Sequence, residues 1–138
     1  MKRVLIVGNA NTGKTTLLNT LSKSEEHTGN WSGVTVEEKA KTIFYKNQKI
    51  QFVDLPGIYS LNAYSFEEEI TIKKIFNSEY DLIINTLDIS TLNKNLFLTL
   101  DLLMAGKKNM ILAINKMQKK IISSEIKNIE KKLGLKTK

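Results

Sequence analysis

The apolar positions of this chain fall into short runs divided by polar, glycine-containing segments, and the runs carry two different periods. "KRVLIV" (residues 2–7) is a continuous apolar run, the pattern of a strand buried on both faces. A glycine loop follows, and "KTTLLNTLS" (14–22) has helical spacing. Residues 23–35 are polar, contain glycine and read as a loop. "EEKAKTIFY" and "KIQFVD" flank "KNQ", which predicts an antiparallel pair joined by a tight turn. In "SFEEEITIKKIF", Ser65 with Glu68 three residues on predicts a capping box, and Ile72, Ile75 and Phe76 an apolar face.

"DLIINTLD" (81–88) reads as a further buried strand. "LNKNLFLTLDLLMAG" reads as a helix with Leu96, Leu100 and Leu103 on one side, ended by Gly106. "NMILAIN" (109–115) completes five predicted strands, and "SSEIKNIEKKLG" (123–134) predicts a last helix with apolar Ile126, Ile129 and Leu133. The final "LKTK" is too short for a further strand on this reading. Strands alternating with helices of this length predict a doubly wound α/β sheet, mostly parallel and flanked by helices, in one domain spanning 1–138.

Composition narrows the class. At 138 residues with 41% hydrophobic and 25% charged side chains, a folded domain with a sizeable core is expected. The longest apolar stretch, "LFLTLDLLMA", is broken by Thr99 and Asp101 and falls short of a bilayer span, so a soluble, cytoplasmic chain is expected. With no cysteine there is no disulfide framework and no thiolate metal site. The net charge of +7 sits in the last quarter: residues 106–138 carry 10 basic and 2 acidic side chains. Nearly every basic residue is a lysine, which lacks the bidentate fork suited to bases and phosphates, so a solvated face is favoured over a nucleic-acid partner.

The chemistry is concentrated in "GNANTGKT", Gly8 to Thr15, which matches GxxxxGK[ST] between a predicted strand and helix. Such a loop turns its backbone N–H groups towards a polyphosphate. Gly8, Asn9, Ala10, Asn11, Thr12, Gly13, Lys14, Thr15 and Thr16 are therefore candidate nucleotide contacts. Lys14 places charge at the β- and γ-phosphates, and the Thr15 hydroxyl suits magnesium. About 40 residues on, "DLPG" ends an apolar strand. Here Asp54 suits magnesium through water, Gly57 can offer its N–H to a terminal phosphate, and Leu55 and Pro56 shape the turn. Ile58, the residue after that glycine, cannot orient an attacking water, so any hydrolysis is expected to be slow.

"GNANTGKTTLLNTL", "GNWSGVTVEEK", "DLPGIYSLNAYSFEE" and "NLFLTLDLL" together resemble the cytoplasmic GTPase domain of FeoB-type bacterial ferrous iron transporters, over essentially the whole chain. The resemblance implies a P-loop G domain that binds GTP and GDP with magnesium. Gly33 and Val34 would lie at the nucleotide and Thr35 would be the switch threonine, a magnesium ligand that joins Lys14 and Gly57 in catalysis. Asn11 would help hold a potassium ion beside the phosphates, with the backbone around Trp31 completing its shell; His27 receives no role. The implied partners are a membrane domain and a helical regulatory module, on the cytoplasmic side of the cell membrane. Homo-oligomers stay open, and no nucleic acid is expected.

Three departures stand out. Ala10 replaces the family's common proline. In "NKMQ", Asn115 and Lys116 can pack around a base, but Gln118 stands where guanine-specific proteins have aspartate. One mismatched charged hydrogen bond costs about 1.5–3 kcal/mol. Finally, the sixth strand and base-covering loop of such a domain are expected to be missing, which would leave "NMILAIN" as an exposed edge. Two alternatives follow: a degenerate or truncated nucleotide-binding module without useful turnover, or another small bacterial P-loop GTPase.

Overall fold

The computed structural model describes residues 2–10, 12–19, 25–30, 37–62, 65–107, 109–115 and 136–137. Its centre is the first apolar run. Strand β1 (Lys2–Gly8) has Leu5, Ile6 and Val7 fully buried, because parallel neighbours lie on both sides and helices pack on the faces. Strand β4 (Gln48–Asp54) runs beside it with Ile6 opposite Asp54, and β5 (Leu82–Asp88) lies on the other flank with Gly8 opposite Thr86. The C-terminal ends of β1, β4 and β5 therefore converge on one rim.

Strand β3 (Glu37–Tyr45) is antiparallel to β4. The hairpin turns through Lys46 and Asn47, both at positive φ (49° and 63°), as a two-residue turn matched to the strand twist requires. Helix α1 (Lys14–Asn19) follows the glycine loop, and α2 (Phe66–Asn77) starts on Ser65, whose Oγ accepts the Glu68 N–H at 3.1 Å. Helix α3 (Leu92–Met104) leads through Gly106, at φ 84°, to β6 (Met110–Asn115), which is parallel to β5.

Several expectations need correction. Residues 25–30, read within a loop, form β2, antiparallel to β3. It is a polar edge strand held by backbone pairing, so it carries no apolar alternation to read. Lys136 and Thr137, read as too short, form β7, parallel to β6 at Ile111 and Leu112. The outer edge of β6 is thus covered there, and the sheet order is β2-β3-β4-β1-β5-β6-β7 among the described residues.

The buried face of α3 is Asn95, Leu98, Thr99 and Leu102, one step round from the predicted stripe. Leu96 and Leu103 flank the core and Leu100 is exposed. Two of the buried positions are polar and are satisfied internally: Asn95 Oδ1 accepts the Asp88 N–H at 2.7 Å, and Thr99 donates to Asn85 Oδ1. On α2, Ile75 is buried and Ile72 packs on the core, while Phe76 is exposed beneath the Lys107 ammonium, 5.0 Å from its ring centroid. The predicted helix over 123–134 lies outside the described residues.

Candidate functional site

The glycine loop leaves β1 at the convergent rim, and its shape is set by how tightly Gly8 is enclosed. A Cβ on Gly8 would stand 2.2 Å from Thr86 Oγ1 and 2.9 Å from Thr12 Oγ1. Thr12 donates to the Asn9 carbonyl at 2.7 Å, and its oxygen lies 2.7 Å from Thr86 Oγ1. With the Thr12 proton on Asn9, Thr86 is the donor to Thr12, and the two hydroxyls clamp the loop onto β5. Gly13 takes φ 93°, a left-handed conformation that side chains rarely adopt, and its carbonyl receives the Leu17 N–H at 2.8 Å.

Lys14 is only 8% exposed, as is Asp54. Burial pushes the Lys14 ammonium below the usual lysine range, and the nearby Asp54 carboxylate draws it part of the way back. Asn9 is buried, and its Oδ1 has no hydrogen-bond partner among the described residues. A buried ammonium and a glycine loop on one side, with a carboxylate on the other, suit a polyanion together with a cation.

The "DLPG" segment lies against this loop. The Leu55 N–H donates to the Ile6 carbonyl at 3.1 Å, and the Ile58 N–H to the Gly8 carbonyl at 3.0 Å. Gly57 lies so close to Ala10 that a Cβ would meet the Ala10 nitrogen at 2.9 Å. The Ile58 side chain is fully buried in the core. Leu55 is buried, Pro56 is half-buried, and Thr16 is exposed in the first turn of α1.

The structure thus brings together Gly8, Asn9, Ala10, Thr12, Gly13, Lys14, Asp54, Leu55, Pro56 and Gly57. Asn115 ends β6 opposite Asp88. Asn11, Trp31, Gly33, Val34, Thr35, Lys116 and Gln118 lie outside the described residues, as do the side chains of Thr15 and Asn115. Arg3, the one arginine, is at the far end of β1, where its N–H meets Asp81 at 2.8 Å. Two contributors escaped the sequence reading: Thr86 beneath the loop and the Ile58 N–H. The polar pair Asn85–Thr86 inside a buried strand was the available signal for the first. Among the described residues no group of three or more His, Cys, Asp or Glu could hold a metal ion, and no helix is long and apolar enough to cross a membrane.

The family described as ferrous iron transport protein B matches residues 2–137. The chain belongs to that family. The Fe(2+) transporter FeoB of Campylobacter jejuni is 45% identical over 113 residues, covering 82% of this chain and 18% of that protein. FeoB of Escherichia coli is 41% identical over 143 residues, covering 97% and 18%. The G domain of Thermotoga maritima FeoB superposes with a TM-score of 0.88 at 37% identity, covering 99% of this chain and 85% of that one. A GDP-bound FeoB G-domain variant from S. thermophilus gives 0.84 at 34% identity, covering 99% and 53%. The chain therefore has the FeoB G-domain fold, and it spans less than a fifth of the relatives C. jejuni FeoB, Methanocaldococcus jannaschii FeoB and Legionella pneumophila FeoB. Family membership sets aside the alternative of an unrelated small P-loop GTPase.

Proposed function

We propose that residues 1–138 act as a single G domain, a guanine-nucleotide switch that hydrolyses GTP slowly and gates ferrous iron uptake by an attached membrane domain. The observation that carries this reading is the seam between the two phosphate-facing segments. Ile58 N–H on Gly8 and Gly57 against Ala10 seat the "DLPG" turn beside the glycine loop. A group held by the loop and long enough to reach past it meets the turn as well. The relative that binds GDP shares this fold at 34% identity.

In this reading Gly8 to Thr16 hold the phosphates and Lys14 neutralises their charge. Thr15, Thr35 and Asp54 would hold magnesium, which when bound would supply positive charge against the phosphates. Asn11 would hold potassium, a cation placed where other hydrolases use an arginine. Gly33 and Val34 carry Thr35 to the site, Gly57 reads the terminal phosphate, and Asn115, Lys116 and Gln118 flank the base. Slow turnover follows from the buried Ile58 and from Arg3 lying at the opposite end of β1. The site would face the cytoplasm within a full-length transporter, beside a helical regulatory module.

Phosphate release from GTP tests the reading. Magnesium-dependent release, faster in potassium than in sodium and lost in Lys14→Ala, is the expected result. Gln118 motivates a second reading, a nucleotide-binding module without turnover; nucleotide affinity with no release in either salt would establish it instead.

Lys14 also makes binding depend on pH. Its ammonium is held low in the free protein, and bound phosphates would raise it again. Affinity is then full below the lowered value and falls as pH rises through it, with proton uptake on binding between the value in the free protein and the value in the complex. Calorimetry in two buffers of different ionisation enthalpy, with Lys14→Arg as a permanently charged control, measures the uptake. An affinity in the wild type that stays level as pH rises to the ordinary lysine range would remove this role for Lys14.

A further inference from the structure

Two polar residues, Thr99 and Asp101, interrupt the apolar run of α3, and the phosphate site as described uses neither. They bind the helix to the two halves of that site. Thr99, fully buried, donates to Asn85 Oδ1 on β5, and the Asn85 amide lies 3.5 Å from the Val7 carbonyl, just before the glycine loop. Asp101 faces a different neighbour. Its Oδ2 accepts the backbone N–H of Leu61 at 3.1 Å, 40 residues away in the chain.

That contact completes a series along the segment that carries Gly57. Leu55 is tied to Ile6, Ile58 to Gly8, and Leu61 to Asp101. Beyond Ile58 the Leu61 backbone is anchored on α3, reinforced by the Leu61 side chain packing on the core. Around it, Ser60 Oγ accepts the Asn62 N–H at 3.1 Å and donates to the Asn62 carbonyl at 3.2 Å, a compact local turn. A carboxylate accepting a part-buried N–H is a charge-assisted bond, stronger than a neutral one.

We propose that Asp101 is a positioning residue: by holding Leu61 it presets the Gly57 backbone for a terminal phosphate, and so sets the preference between nucleoside triphosphate and diphosphate. The inference rests on the proposed nucleotide switch. Its logic is preorganisation. A diphosphate is held by the glycine loop and Lys14, whereas a third phosphate also needs the Gly57 segment in place. Loosening that segment adds an ordering cost to triphosphate binding and leaves diphosphate binding as it was.

The test uses the whole chain with GDP and a non-hydrolysable GTP analogue, each by equilibrium titration in magnesium. Asp101→Ala is expected to weaken the analogue about tenfold relative to GDP, as the loss of one charged hydrogen bond implies, and to speed amide exchange at Leu61. Asp101→Asn keeps an acceptor oxygen at the same reach and is expected to restore most of the ratio. An unchanged ratio in Asp101→Ala, equal weakening of both nucleotides, or a ratio shifted towards the analogue would each overturn the proposal. Wild-type affinity for GDP is the separate report on the switch itself: if GDP binds and the ratio does not move, only the role of Asp101 falls. If the wild type binds neither nucleotide, both readings fall.

Discussion

Lys14→Ala is expected to reduce affinity for guanine nucleotide at least a hundredfold while leaving the fold intact. The ammonium is 8% exposed at the mouth of the glycine loop, and burial already disfavours its charge. A bound polyphosphate is the partner that repays this burial, through charge-assisted contacts worth about 1.5–3 kcal/mol each. Two such contacts amount to about 3 kcal/mol at the low end, or roughly a hundredfold in affinity. Stability behaves differently. Removing a desolvated charge relieves a cost in the unliganded protein, so the melting temperature should hold or rise. A titration with a fluorescent guanine nucleotide, paired with a thermal melt, separates the two; wild-type affinity in the variant would exclude Lys14 from phosphate binding.

Gly8→Ala should have the largest effect on folding. The added methyl would come 2.2 Å from Thr86 Oγ1 and 2.9 Å from both Thr12 Oγ1 and the Thr86 carbonyl, with parallel strands fixed on either side. Neither hydroxyl can swing away without breaking the clamp that holds the loop on β5. Overpacking of this kind costs about 1–3 kcal/mol, and the loop would be displaced as well. Thr86→Ala removes the worst contact but leaves the Thr86 carbonyl in place, so combining it with Gly8→Ala should rescue part of the stability. Urea denaturation of the two single variants and the double gives the coupling. A Gly8→Ala midpoint equal to the wild type would mean that the loop is not packed this way.

These effects differ in how far the sequence announced them. The strands around β1 were legible because runs buried on both faces are continuous and apolar, and Ser65 and Gly106 punctuate α2 and α3 by local backbone chemistry. The edge strands were not: β2 is polar throughout and β7 has two residues, so both exist through backbone pairing with a neighbouring strand. The face of α3 was misplaced by one step because Asn95 and Thr99 are buried on hydrogen bonds that hydropathy does not register. The glycine loop and "DLPG" were legible since their chemistry lies in the residues themselves. Thr86 beneath Gly8, Ile58 on the Gly8 carbonyl and Asp101 on Leu61 were hidden, because each is a contact between residues 40 or more apart in the chain.

Guanine-nucleotide binding by this chain is tested most directly by equilibrium competition. GDP and ADP would be titrated against a fluorescent guanine nucleotide on the purified chain, in magnesium and potassium buffer. GDP displacing the probe at a concentration about fivefold below ADP, the margin of one neutral hydrogen bond to the base of about 1 kcal/mol, is the expected result. Equal displacement by the two, or displacement by neither, would contradict the claim.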